Sequence, residues 1–321
     1  KGTNRAVVIG NGNVAMDVAR MLALPREELE ETDTADHAID VMSDSQITEI
    51  VVFGRRGPAQ AAFTNPELRE LGELTDADAI VDSSALDLDP VSESYISGDE
   101  ADKTHVKNVE LLRDMAAREP EGKRKRVILR FLASPVEIHG DGKVESITIG
   151  INRLVEEDGR VRAEDTGERE ELECGLVFRS VGYTGVPVAG VPFDEKRGTI
   201  ANEKGRVLGE GGEPIPGLYT AGWIKRGPSG VIGTNKKDAA ETVAMLREDL
   251  EAGRIPEREL PDRSAIEELI VERDHDAVTY AGWEAIDAAE TAAGEPHGRP
   301  RVKFVRIEDM LEHAKSKSGR D

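Results

Sequence analysis

Residues 6–9 form a short apolar, β-branched run. Gly10, Asn11 and Gly12 interrupt it, and over residues 14–24 apolar positions return at helical spacing. This order predicts a strand, a tight turn and a helix. Pro25 ends that helix, and the acidic stretch 27–36 begins either another helix or a surface excursion. Residues 47–53 alternate and stop at Gly54, which predicts the second strand of a βαβ unit. A helix is expected over 65–74, a loop over the acidic, serine-rich segment 76–98, and a helix over 106–118. Segments 126–131, 136–139, 143–152 and 172–181 read as strands joined by polar turns such as Gly140, Asp141, Gly142. They predict an antiparallel meander inserted into a parallel sheet. Across 182–191 glycine, proline and valine replace charged residues, as at a crossing between domains. A strand into 218–221, a glycine-rich turn, a helix over 236–252 and a charged, mostly helical C-terminal region complete the pattern.

The chain has 321 residues, enough for two compact units. Its 38% hydrophobic residues, 32 glycines and 4% aromatics suit an α/β protein rather than a disordered one. No apolar run approaches the roughly 20 residues that span a bilayer, and nothing at the N-terminus looks like a signal peptide. The single cysteine, Cys174, excludes an intrachain disulfide, a CxxC pair and a four-thiolate iron–sulfur site within these residues. A cytoplasmic location is expected on these grounds. With 64 acidic against 42 basic residues the formal charge is −22, a field that repels nucleic acid and anionic membranes. Neither is expected as a partner.

The turn at Gly10, Asn11, Gly12, Asn13, Val14 and Ala15 matches GxGxxA placed between a strand and a helix. Gly10 permits the tight turn and Gly12 lets the backbone approach a pyrophosphate. Ala15 lets helix and strand pack closely, and the helix N-terminus offers free amides and the positive end of its dipole. An ordinary glycine-rich turn is the alternative. The second strand discriminates, because an NAD site normally ends it with an acid for the ribose hydroxyl, whereas here Gly54 is followed by Arg55 and Arg56. Two guanidiniums suit a 2′-phosphate, so NADP(H) is expected over NAD(H). More than 40 residues separate Gly12 from this strand end, so the intervening helical region carries an insertion.

Residues 216–235 hold a second glycine-rich turn, including Gly222, Trp223, Gly230, Val231 and Ile232. A strand, small residues, an aromatic and glycines before a helix bring backbone amides close to a flat, polar ring system. A mobile surface loop is the alternative reading.

Both turns, with Gly54 to Pro58, Ala62 to Thr64 and Glu67 to Glu70, resemble the adrenodoxin reductase family, including bacterial ferredoxin NADP reductases of that type. The resemblance spans nearly the whole chain. It implies a Rossmann-like NADP-binding domain with the inserted antiparallel meander, plus the C-terminal part of a glutathione-reductase-like FAD domain. Domain bounds of 1–185, 186–254 and 255–321 follow, the last a helical extension. It also implies that Arg55 and Arg56 bind the 2′-phosphate and that Asn11 and Val14 lie at the pyrophosphate turn. Glu67 would reach the NADP ribose or nicotinamide side, and Trp223 with Gly230 would border the nicotinamide and isoalloxazine rings. Backbone around Gly222, Val231 and Ile232 would contact FAD. Hydride passes from NADPH to FAD in that family, and single electrons then go to a ferredoxin or similar iron–sulfur protein. Trp223 and Glu67 would serve in alignment. The family begins with an FAD-binding βαβ unit of its own. No GxGxxG for it precedes Lys1, so the chain is expected to be a fragment that holds FAD poorly by itself.

Two other classes remain: a non-catalytic NADP-binding module, and another pyridine nucleotide flavoenzyme, such as a disulfide reductase or a glutamate synthase small subunit. Lack of CxxC and of a cysteine cluster argues against the latter pair. His37, His105, His139, His275, His297 and His313 are scattered, without metal-ligand spacing, so no metal is expected. Asp17 and Arg20 are expected to face solvent or pair locally, with contact to the cofactor as the alternative, and Cys174 to be a packed thiol in a strand. Lys123, Arg124, Lys125 and Arg126 form a candidate docking patch for an acidic ferredoxin, with a solvated turn as the equal alternative. Lys225 and Arg226 are a second option.

Overall fold

The computed structural model describes residues 4–98, 101–157, 160–230, 232–256, 263–274 and 276–318. It divides into two compact units, Lys1–Val181 with Asp276–Asp321, and Gly182–His275. In chain order the first unit runs β1 (Arg5–Ile9), α1 (Asn13–Ala23), α2 (Arg26–Glu30), α3 (Asp36–Ser43), β2 (Glu49–Phe53), α4 (Asn65–Leu71) and β3 (Ala77–Val81). It continues through α5 (Pro90–Ser97), α6 (Lys103–Ala116), β4 (Lys125–Arg130), β5 (Ala133–His139), β6 (Ser146–Glu157), β7 (Arg160–Glu173) and β8 (Leu176–Arg179). The second unit holds β9 (Phe193–Asp194), β10 (Thr199–Ile200), β11 (Asn202–Glu203), β12 (Arg206–Leu208), β13 (Pro214–Tyr219), α7 (Trp223–Arg226), α8 (Ile232–Glu251) and α9 (Arg263–Arg273). The chain then returns to the first unit with α10 (Tyr280–Gly294) and α11 (Ile307–Ser318).

A parallel sheet of order β3-β4-β2-β1-β8 organises the first unit. Its central strands are apolar at successive positions because both faces are covered. Val8, Ile50, Val52, Val127 and Leu129 pack with Ala15, Met16 and Ala19 of α1, Leu68 and Leu71 of α4, and Leu112 and Met115 of α6. The alternate residues Val7, Ile9, Val51 and Phe53 pack instead on Ala133, Ile147 and Ile149 of the antiparallel β5-β6-β7 meander. The inserted meander thus replaces the helices that would cover this face of a simpler doubly wound sheet.

Several elements depart from the sequence expectation. The segments expected to start and finish the meander, 126–131 and 172–181, mostly join the parallel sheet instead, β4 beside β2 and β3, and β8 beside β1. Their apolar runs are buried in the main sheet. Conversely β7 was invisible to hydrophobic pattern, since most of its residues are exposed or half-buried. The predicted loop 76–98 contains β3 and α5. Asp89 caps α5 by accepting from the Val91 and Ser92 amides at 3.0 and 3.1 Å, with Pro90 at the first helical position, which is a start signal rather than loop chemistry. Cys174 is buried, but in the link between β7 and β8 rather than in a strand. Residues 276–318 fold with the first unit, where Arg299 pairs with Asp36 at 2.6 Å and Lys303 with Asp33 at 3.0 Å.

Asp78, in edge strand β3, accepts from the backbone amides of Glu121, Gly122 and Lys123, each at 3.0 Å, and so fixes the turn into β4. Burial opposes its ionisation, but the three amides outweigh burial and hold the carboxyl below the usual range. A depressed folded-state pKa contributes stability above the ordinary carboxyl pKa and loses it as pH falls through the folded value. Asp78→Ala is therefore expected to lower unfolding stability by about 2–3 kcal/mol at pH 7. The difference should shrink as the solution is acidified below about pH 4; urea denaturation at both pH values is the check.

Candidate nucleotide and flavin sites

The C-terminal ends of the central strands are tied together at the glycine turn. The Gly10 amide donates to Phe53 O at 2.9 Å, Ser180 N to Ile9 O at 2.7 Å, and Gly54 N to Arg130 O at 2.8 Å. Gly10 has φ +121°, and a Cβ placed there would lie 2.0 Å from Ser180 O, so only glycine fits. Gly12 differs: a Cβ would meet nothing within 4 Å. Its glycine is thus not required by the protein's own packing, but it keeps the turn open where the N-terminus of α1 begins. Gly12 is the N-cap of α1, so the amides of Asn13 and Val14 have no partner within the helix. Ala15 is fully buried against the sheet.

Asn11 lies over Gly54, where a Cβ would sit 2.5 Å from Asn11 Nδ2. The glycine after β2 thus lets the Asn11 side chain of the first turn lie directly over the backbone. Asn13 Oδ1 accepts from Thr64 N at 2.8 Å, so the Asn13 side chain holds the loop before α4, leaving its amide for a ligand. Buried Asn108 donates to Phe63 O at 2.8 Å and completes that anchor.

Arg55 and Arg56 stand on a backbone fixed at each carbonyl. Gly54 O accepts from Ala133 N at 3.0 Å, Arg55 O from Asn152 Nδ2 at 2.8 Å, and Arg56 O from Leu132 N at 3.1 Å. The meander insertion thus positions the arginine pair. Neither guanidinium makes a hydrogen bond or ion pair with another described residue. Arg55 is exposed and Arg56 half-buried; burial and the adjoining Arg55 lower Arg56 from the usual guanidinium value, with Tyr95 acting oppositely. Most arginines around this sheet are neutralised, as in Arg130–Glu170 at 2.6 Å and Arg126–Glu49 at 2.6 Å.

Glu67 sits in the first turn of α4, half-buried. Burial, then Asp17 and Glu70, push its carboxyl above the usual range, opposed by Arg20. Asp17 and Arg20 pair locally, at 3.0 Å, and Arg20 also pairs with Glu70.

The candidate docking cations are largely absorbed by the fold. Lys123 Nζ donates to Leu74 O at 2.9 Å, Arg124 pairs with Asp76, Arg126 with Glu49, and Lys125, 2% exposed, donates to Leu22 O at 2.7 Å at the end of α1. In the second unit Lys225 is 8% exposed and paired with Asp238 and Glu241 at 3.1 and 2.7 Å. Arg226 donates to Ser229 and Asn235. Neither set is a free basic patch.

In the second unit Gly222 caps α7 at φ +80° and ψ −153°, a region open essentially to glycine. Trp223, 45% exposed, stacks on Tyr183 with ring centroids 5.7 Å apart and planes 29° from parallel. Gly230 has φ +84°, and a Cβ there would lie 2.6 Å from Thr234 Oγ1. Val231 lies outside the described residues, as do the side chain of Ile232, which begins α8, and His275. Sequence reasoning missed Tyr183 and Asp238; an aromatic after Gly182 at the domain crossing was the available signal for the first. No group of three or more His, Cys, Asp or Glu side chains that could hold a metal occurs among the described residues, nor does any helix long and apolar enough to cross a membrane.

No protein-family model matches the chain. It is 49% identical over 310 residues to the NADPH-ferredoxin reductase FprA of Mycobacterium leprae, covering 96% of this chain and 66% of that protein. It is 40% identical over 320 residues to human mitochondrial NADPH:adrenodoxin oxidoreductase, covering 95% of this chain and 63% of that protein. The solved structure of Mycobacterium tuberculosis FprA in complex with NADPH matches at a TM-score of 0.86 and 48% identity, over 97% of this chain and 67% of that one. The chain therefore spans about two thirds of the length of these relatives.

Proposed function

Because this chain belongs to the adrenodoxin reductase family of NADPH-ferredoxin reductases, we propose that it is the NADP(H)-binding part and C-terminal flavin-contacting part of an FAD-dependent ferredoxin reductase. The observation that carries this reading is the arginine pair at 55 and 56, which follows Gly54 packed on Asn11 of the Gly10 to Gly12 turn, is anchored at its backbone carbonyls and has no anionic partner among the described residues. A 2′-phosphate supplies the missing anion, and Gly12 leaves room for the pyrophosphate against the amides of Asn13 and Val14. The residues present fit NADP(H).

NADP(H) and FAD, when bound, supply hydride and single-electron chemistry that protein side chains lack. The chain's own residues hold and orient. Arg55 and Arg56 fix the phosphate end of the nucleotide. Glu67, whose raised pKa reflects burial and neighbouring carboxylates, would hydrogen-bond the ribose or nicotinamide side of the nucleotide. In the second unit the exposed Trp223 ring, with Gly230, would border the nicotinamide and isoalloxazine rings, and the backbone around Gly222, Val231 and Ile232 would contact the flavin. Correct alignment is worth several kcal/mol of barrier. Residues 1–185 are assigned to nucleotide binding and 186–254 to the C-terminal portion of the FAD domain. A ferredoxin-like iron–sulfur protein is the electron acceptor, in the cytoplasm. Full-length protein should show flavin absorbance and reduce a ferredoxin at the expense of NADPH. Nucleotide binding without flavin absorbance would favour the non-catalytic module instead.

A further inference from the structure

Trp223 itself has little to hold it. Its ring is nearly half exposed and packs against Tyr183, which is 60% exposed. What fixes the ring is the backbone on either side, and that backbone is anchored to one ridge of α8. Asp238 Oδ2 accepts from the Gly222 amide at 2.6 Å, immediately before Trp223. Its Oδ1 lies 3.1 Å from Lys225 Nζ, two residues after Trp223. One turn along, Glu241 and Thr242 take the same ammonium at 2.7 and 3.1 Å, and Thr242 Oγ1 donates to Thr220 O at 3.0 Å. Residues 238, 241 and 242 share one helix face by their spacing. The buried lysine and carboxylate contribute little to stability that an apolar pair could not, but they specify a single geometry for a turn whose glycine conformation offers no restraint of its own.

We propose that Asp238 is the positioning residue for Trp223, acting through its hydrogen bond to the Gly222 amide rather than through its charge. This rests on Trp223 bordering the nicotinamide. Asp238 does not touch substrate; it sets the turn that presents the ring.

Two conservative variants separate hydrogen bond from charge without relying on one that fails to fold. Asp238→Asn keeps an acceptor for Gly222 N while losing the charge. Asp238→Glu keeps the charge opposite Lys225 but moves the carboxylate off the amide. In the full-length holoenzyme Asp238→Glu is expected to lower kcat for NADPH oxidation by about 10–100-fold, with KM for NADPH changed less than about threefold, since the phosphate grip lies in the other unit. Asp238→Asn should rescue kcat to within about threefold of the parent. A second readout does not depend on turnover. The chain has two tryptophans, so in a Trp283→Phe background Trp223 reports alone in this 321-residue chain. Acrylamide quenching of its emission should rise in Asp238→Glu and stay at the parent value in Asp238→Asn. Unchanged quenching in Asp238→Glu, or loss in Asn with retention in Glu, overturns the proposal. Increased quenching in Asp238→Glu with unaltered kcat supports the positioning of Trp223 and instead removes Trp223 from the hydride site.

Discussion

Replacing Arg55 and Arg56 together by alanine is expected to weaken NADP+ binding by about 10²–10⁴-fold while changing NAD+ binding less than about threefold. Hydrogen bonds to charged groups contribute about 1.5–3 kcal/mol each, and about 1.4 kcal/mol is tenfold in affinity. Two phosphate contacts therefore set the range. The structure makes the outcome selective. The carbonyls at 54, 55 and 56 are bonded to Ala133, Asn152 and Leu132, so the turn persists when the side chains are truncated. Neither guanidinium pairs with another described residue, so no buried carboxylate is left stranded and folding stability should fall by less than about 0.5 kcal/mol. Calorimetric titration of both nucleotides into this chain is the measurement. Equal losses for NADP+ and NAD+ would place the pair elsewhere than at the 2′-phosphate.

The two glycines of the first turn should behave in opposite ways. Gly10→Ala sets a Cβ 2.0 Å from Ser180 O at φ +121°. Relief by moving Ser180 would break its 2.7 Å bond to Ile9 O, so overpacking and backbone strain combine to a loss of about 3–4 kcal/mol in unfolding stability. Gly12→Ala meets open space and should stay within about 0.5 kcal/mol of the parent, yet lose at least about tenfold in NADP+ affinity, because its methyl stands where the pyrophosphate must approach. Denaturation and nucleotide titration on the same two variants separate these effects. If Gly12→Ala lost as much stability as Gly10→Ala, the glycine would be serving the fold and not a ligand.

Much of the candidate site was open to inspection before folding was considered. The apolar run before Gly10, the helical spacing after Gly12, and the replacement of an acid by Arg55 and Arg56 after the second strand are local features, and local features set backbone conformation and charge. The same approach failed over 76–98, where Asp89 and Pro90 initiate a helix, and at β7, which is polar along most of its length because it lies on the outer edge of the meander.

Partnership is a different kind of information. Ile50 and Val51 are equally apolar, yet one faces α-helices and the other the meander; the run of letters records burial on both sides without naming what covers either. The basic clusters at 123–126 and 225–226 were both candidate docking patches until Asp76, Glu49, Asp238 and Glu241, from other elements of the fold, were found against them. Thus the sequence alone determined the strand–turn–helix and the family to which the chain belongs, since these depend on residues close together in the chain. Only the tertiary structure decided which strands pair, which cations are buried and what holds Trp223, because those depend on contacts between residues that chain distance keeps apart.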